Sequence, residues 1–248
     1  MNRKMIGALL LTVVLFCACN SNKKAKQNQP VDITGNMGMY YATLPCASCS
    51  GICTYLTLKE DSTAYLTRMY MDSGNTYETI DGKWSFEDSI FTVYTIDGET
   101  QLYKLVSSEL LAQVGETKEV KEMYMLKKET ELLADQFTGT YIYGSDEKGA
   151  YQQTLTIQKI DNRQVEVAIT QTSGAGKGCE FKGNGRIVNN QIEINMKDIN
   201  PDMNSVMTIR SINDSNEMNV MTSRFDDKDD LMFFCGGGGS LAGDYRRQ

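Results

Sequence analysis

Short runs of alternating β-forming residues recur along this chain, and they leave it few folds to choose from. Runs at 54–58, 64–71, 82–86, 90–94, 102–106 and 122–127 interleave large apolar side chains with Thr, Ser, Lys or Arg. Such alternation places one face of a strand toward a core and the other toward water. Turn-forming residues separate the runs: Glu60, Asp61 and Ser62; Glu87, Asp88 and Ser89; and the pair Asp97 and Gly98, a strong hairpin signal. The second half repeats the pattern at 139–143, 153–160, 164–170, 179–188, 191–196, 205–212, 217–224 and 231–235. Asp161 and Asn162, Asn189 and Asn190, and Asn213 and Asp214 mark turns between these runs. Helical periodicity is weak; 109–114 and 130–136 each read as a short helix or turn. With 13 Tyr and 3 Pro in 248 residues, the chain reads as all-β. Strands at this spacing predict two small antiparallel β-barrel or barrel-like domains.

The first residues carry an address. Arg3 and Lys4 precede an apolar run from Met5 to Phe16 that is shorter than the roughly 20 residues a spanning helix needs. Ala18 then precedes Cys19, an arrangement expected of a bacterial lipoprotein signal (1–18), with Cys19 as the lipid-bearing residue. Several acyl chains on one cysteine make a stable anchor where a single chain does not. A polar, lysine-containing tether (19–34) follows. The first β domain is expected over 35–128 and the second over 137–248. Gly38 and Tyr40 open the first domain with a Gly-x-Tyr pattern. Gly139 and Tyr141 repeat it, as do Gly243 and Tyr245. A glycine there admits close backbone approach, and the tyrosine is expected to plug a barrel end.

The chain has a formal net charge of −7 and no histidine. The negative charge argues against nucleic acid as a partner, and no basic aromatic stripe offsets it. Without histidine there is no Ser-His-Asp site and no imidazole for a metal. The expectation is a protein that is not an enzyme. Asp226, Asp227, Asp229 and Asp230 lack the ligand spacing of a known calcium loop and read as a solvated turn. The glycines 236–239 lack the lysine and helix of a phosphate loop and read as a turn beside Cys235.

Chemistry therefore falls to sulfur. Cys46 and Cys49 form a Cys-x-x-Cys pair, with Cys53 close behind; Cys179 and Cys235 lie far downstream. In an oxidising compartment Cys179 and Cys235 are expected to staple the second domain. Three readings of the remaining cluster stay open. Cys46 and Cys49 form a structural or redox-responsive disulfide, with Cys53 buried on the Tyr55 face of a strand. Alternatively the thiols hold a soft ion such as Cu(I), which prefers thiolate and thioether ligands. Finally, the pair is a catalytic dithiol, although the strand that follows offers no helix N-terminus to lower a thiol's pKa. No cofactor is required, and Cu(I) is the ion this set would take. Three Met-x-Met pairs could supply thioethers: Met37 and Met39, Met69 and Met71, and Met123 and Met125. Met37 and Met39 lie close to the thiols in sequence and are the candidate ligands, against the plainer role of core packing.

Gly38 and Tyr40, the stretch from Leu44 and Pro45 through Cys46, Cys49 and Gly51 to Ile52, and the alternating Thr54, Leu56 and Leu58 together resemble the N-terminal domain of the NlpE lipoprotein family. So do Gly82 with Trp84, Tyr103 with Val106, and the run from Met123 to Lys127. The likeness covers about 35–128, and Cys46 and Cys49 match the motif cysteines; Cys53 is an addition to the pattern. The resemblance implies a lipoprotein of the outer membrane with a β-barrel N-domain, linked to copper resistance and to envelope-stress signalling. It implies a membrane partner through the lipid, at the periplasmic face, and an envelope protein as signalling partner. The second domain does not visibly match the family's usual C-terminal domain. Two other roles remain beside the sensor: a periplasmic Cu(I) buffer, and a non-catalytic adaptor or binding module.

Overall fold

The structure is a computed structural model and describes residues 33–72, 76–145, 147–174, 178–212 and 216–248. The expected signal segment, Cys19, the tether up to residue 32 and the turn at Asn213 and Asp214 lie outside the described residues. All of the alternating runs except the last, at 231–235, contribute a strand, and the strands close into two barrels. The first barrel comprises β1 (Gly38–Leu44), β2 (Ile52–Leu58), β3 (Thr63–Tyr70), β4 (Glu78–Glu87), β5 (Ile90–Thr95), β6 (Thr100–Ser107), β7 (Leu110–Val114) and β8 (Met125–Glu129). The second comprises β9 (Gly139–Gly144), β10 (Gln152–Lys159), β11 (Gln164–Ser173), β12 (Glu180–Val188), β13 (Gln191–Asn195), β14 (Val206–Ile212), β15 (Glu217–Thr222) and β16 (Gly243–Arg247).

Every strand pairs antiparallel with its sequence neighbour. β1 pairs with β8 to close the first barrel, and β16 pairs with β9 to close the second. Closure removes the exposed sheet edges on which another chain could template. The turns follow their residues. Asp88 and Ser89, and Asn189 and Asn190, take successive positive φ angles, and Gly98 turns at φ 92°. Positive φ at both central residues matches the right-handed twist of the flanking strands.

Each barrel owns its core. Tyr40, Leu56, Leu58, Phe91, Tyr103 and Leu126 pack inside the first; Leu155, Val167, Ile192, Met207 and Tyr245 pack inside the second. The Gly-x-Tyr pattern opens β1, β9 and β16. Tyr40, Tyr141 and Tyr245 are fully buried. Each donates its hydroxyl to the carbonyl four residues earlier: Asn36 at 2.8 Å, Phe137 at 2.9 Å and Leu241 at 2.9 Å. The glycines leave room for neighbours. A Cβ at Gly243 would sit 2.7 Å from the Tyr143 ring, and one at Gly139 would sit 2.8 Å from the Arg247 guanidinium.

Two expectations are corrected. Of residues 109–114, Glu109 lies in a turn, but Leu110–Val114 form β7, paired with β6 and β8. Leu111 faces the barrel core, while Ala112 and Val114 join Ile90 in an outer cluster with Val120 and Met125 packed against it. Apolar groups on both faces erase the period-two signal. Residues 231–235 are not a strand. They end a 3-10 segment (Phe225–Met232) in which Leu231 is buried, while Met232 and Phe233 are exposed. Cys235 makes a single bridge to Cys179, and β16 takes the closing place in the barrel. Residues 130–136 do contain one helical turn, α1 (Ala134–Phe137).

Candidate functional site

The register of β1 and β2 runs to the pair Leu44 and Ile52, and the Cys-x-x-Cys pair occupies the loop between them. Cys46 and Cys49 are joined by a disulfide with their Cα atoms 5.3 Å apart. Pro45, Ala47, Ser48 and Ser50 around them are exposed. The loop is tied down from β3's far end. Asp72 accepts hydrogen bonds from the Ser50 amide at 3.0 Å and from the Ser50 hydroxyl. Those two bonds hold the Asp72 carboxyl below its usual pKa. The Met71 amide donates to the Gly51 carbonyl at 3.0 Å. Gly51 is required here. A Cβ would lie 2.7 Å from the Thr43 methyl and 3.3 Å from the Met71 sulfur, pushing the loop off β1. The Cys49 sulfur lies 3.2 Å from the Gly51 carbonyl oxygen, where a reduced thiol would have an acceptor.

Cys53 sits on β2 opposite Thr43 and Met69. It shares the outer face of the barrel with Tyr55, since Leu56 and Leu58 are the inward residues. It is a free thiol and only 9 % exposed, with the Tyr41 and Thr43 hydroxyls each 3.8 Å from its sulfur. Burial raises the Tyr41 pKa.

The structure does not bring Met37 and Met39 to the thiols. Met39 is fully buried at the opposite end of β1, and Met37 packs against the first core. The five steps from Met39 to Leu44 alone span about 17 Å of strand. The thioethers near the loop are those of Met69 and Met71, which reach it from β3, distant in sequence. Among the described residues no three Asp, Glu, Cys or His side chains converge as a metal site. With Cys46 and Cys49 joined, neither is a thiolate, so Cu(I) could use this pair only after reduction. Ser50 and Gly51 lead into β2, and no helix follows to lower a thiol's pKa.

The second disulfide differs. Cys179, 3 % exposed, is bonded to Cys235 across 56 residues. The Tyr151 hydroxyl lies 3.2 Å from the Cys179 sulfur and accepts a bond from the Gln153 amide. The Tyr245 hydroxyl donates to Gln153 at 2.7 Å. Phe181 meets Phe234 edge to face at 5.1 Å. Gly237 and Gly238 turn with positive φ, returning the chain from Cys235 toward β16.

Residues 40–123 match the family model of the NlpE N-terminal domain. The chain is also 29 % identical over 141 residues to the 17 kDa lipoprotein of Treponema pallidum (strain Nichols), covering 50 % of this chain and 90 % of that protein. Two crystal structures are similar. One, of a Shewanella oneidensis protein assigned as a lipoprotein, is 30 % identical with a TM-score of 0.34, covering 40 % of this chain and 96 % of that one. The other, the Cpx pathway activator NlpE from Escherichia coli, is 15 % identical with a TM-score of 0.32, covering 59 % of this chain and 90 % of that one. The match to the family model covers the Leu-Pro-Cys-x-x-Cys-x-Gly-Ile loop and most of the closed barrel that carries it, so this part of the chain is similar to an NlpE N-terminal domain.

Proposed function

We propose that this chain is an envelope lipoprotein, anchored through Cys19 at the periplasmic face of the outer membrane, and that its first barrel reports envelope stress or copper. The reporter is the Cys46–Cys49 pair, and the role is signalling without catalysis. One observation carries this reading: the disulfide lies in an exposed loop outside the barrel core. Reduction there changes the loop while the β1–β2 pairing and the core beneath remain. The lipoprotein assignments of two similar proteins support the anchor, and the match to the NlpE N-terminal domain supports the stress role.

Copper buffering is a second reading, favoured by the Met71 thioether beside Gly51. The test is thiol counting by alkylation and intact mass on the whole chain in detergent, before and after mild reductant, with and without anaerobic Cu(I). The sensor reading expects Cys46 and Cys49 to open before Cys179 and Cys235, and no copper to be retained. Cu(I) retained after reduction and protecting Cys46 and Cys49 selects the buffer. A Cys46→Ser, Cys49→Ser chain that still supports the copper or stress response in cells rejects both readings and leaves the adaptor role.

A further inference from the structure

The two barrels meet through groups that belong to neither core. The two core clusters share no residue. The contact is made instead by the β12–β13 hairpin, whose turn residue Asn189 is 2 % exposed and lies against the outer face of β2 and β3. Its side-chain amide donates to the Tyr65 carbonyl at 3.0 Å and the Thr67 hydroxyl at 2.7 Å, and its side-chain oxygen accepts from Thr57 at 2.5 Å. From β14, Arg210 adds a guanidinium held against two rings of the first barrel, 4.7 Å from the Tyr55 centroid and 3.5 Å from that of Tyr77.

Arg210 is 8 % exposed and forms no ion pair among the described residues; its Nη2 donates to the Asn189 carbonyl at 3.3 Å and to the Gln191 side-chain oxygen at 3.1 Å, both within the second barrel, while its Nε has no hydrogen-bond partner. A buried cation in that position is better solvated when exposed to water. The hydrogen bonds named here, with the Arg186–Asp81 ion pair and the Gln191–Thr79 hydrogen bond, each 3.1 Å, that also cross between the barrels, join polar groups that water can solvate. The same contact roofs an outward-facing strand. Cys53 lies on the same face of β2 as Tyr55 and Thr57, the residues that Arg210 and Asn189 contact.

We infer that Asn189 and Arg210 form a polar latch between the barrels, one that releases while both barrels stay folded, and that its release controls access to the Cys53 face of the first barrel. This goes beyond the stress and copper reading and stands independently of it, because Cys46 and Cys49 take no part in the latch.

Cys53 itself supplies the assay. In the whole chain, maleimide alkylation at Cys53 is followed by peptide mass alongside hydrogen exchange of the core amides of both barrels. Asn189→Gly is the informative variant, because glycine keeps the left-handed backbone of this turn (φ 48°) while removing all three side-chain bonds. Arg210→Gln is the second variant and removes the cation between the rings. Each should speed Cys53 alkylation roughly tenfold or more, with core exchange in both barrels unchanged; tenfold corresponds to about 1.4 kcal/mol. Unchanged alkylation in both variants overturns the latch. So does alkylation that rises only in step with core exchange, since Cys53 would then be reached by unfolding of the first barrel.

Discussion

The two barrels are built alike and stapled differently. Both are eight-stranded meanders closed by their first and last strands, and both begin with a glycine and a buried tyrosine that bonds back four residues. The first carries a disulfide spanning 3 residues in an exposed loop; the second carries one spanning 56 that pins a 3-10 segment beside its core. In the chain-entropy model the long closure stabilises by about 4 kcal/mol and the short one by about 2 kcal/mol. The second is therefore a structural staple. The first has little of the fold resting on it, so its chemistry can change at small expense to the barrel.

The sharpest way to break that contrast is to remove each staple in turn. Cys179→Ser with Cys235→Ser should destabilise the second barrel by about 4 kcal/mol. Hydrogen exchange would show this in β10–β15, with the first barrel unaffected. The corresponding change at Cys46 and Cys49 should cost about 2 kcal/mol or less. Trp84, the only tryptophan, lies in β4 and reports unfolding of the first barrel alone by fluorescence. If the Cys46, Cys49 variant is the less stable of the two, the short disulfide is structural and the contrast fails.

The tyrosine plugs offer a finer comparison. Tyr245→Phe removes the single hydroxyl proton shared between the Leu241 carbonyl at 2.9 Å and Gln153 Oε1 at 2.7 Å, whereas Tyr40→Phe removes one given to Asn36 at 2.8 Å with Ser108 farther away at 3.4 Å. Each well-made bond contributes about 1 kcal/mol net. Loss of Tyr245 also leaves Gln153 short of a donor in a buried site, so the second barrel should suffer more in denaturant unfolding. Equal losses would show that the Gln153 bond adds nothing.

A pH dependence confined to the alkaline range tests the first plug alone. Burial, with a further contribution from Glu109, raises Tyr40 to about 12 from an ordinary value of 10.0. The proton is held more tightly in the folded barrel than in the unfolded chain. The associated stability is full below pH 10.0 and is lost as pH rises through about 12. The Trp84 unfolding midpoint should fall over that window, and Tyr40→Phe should flatten the fall. A midpoint independent of pH between those values contradicts a buried, protonated Tyr40.

Much of this architecture was legible in the residues because it is local. Thr54, Leu56 and Leu58 alternate because one face of β2 meets a core, and the strand formed where that pattern lies. Asn189 and Asn190 read as a turn because asparagine tolerates positive φ. Gly243 and Tyr245 echoed the two other strand starts and did open a strand, though the run at 231–235 looked the more obvious candidate. That run was apolar because Leu231 packs on a core and Phe234 on Phe181, which is no signature of pairing. At β7 the failure was the reverse, since a covered outer face hid a real strand.

The sequence alone determined the strand pattern, the turns and the Cys-x-x-Cys loop, because each depends on the residues that form it and on their nearest neighbours in the chain. Only the tertiary structure decided which sulfurs share a neighbourhood. Antiparallel pairing brings Met69 opposite Cys53 and Met71 beside Gly51, while the length of β1 carries Met39 away. It likewise decided that a hairpin turn at Asn189 would become the contact between barrels. An asparagine's side-chain partners are set by what the fold places against it, and here they are Thr57, Tyr65 and Thr67, more than a hundred residues earlier.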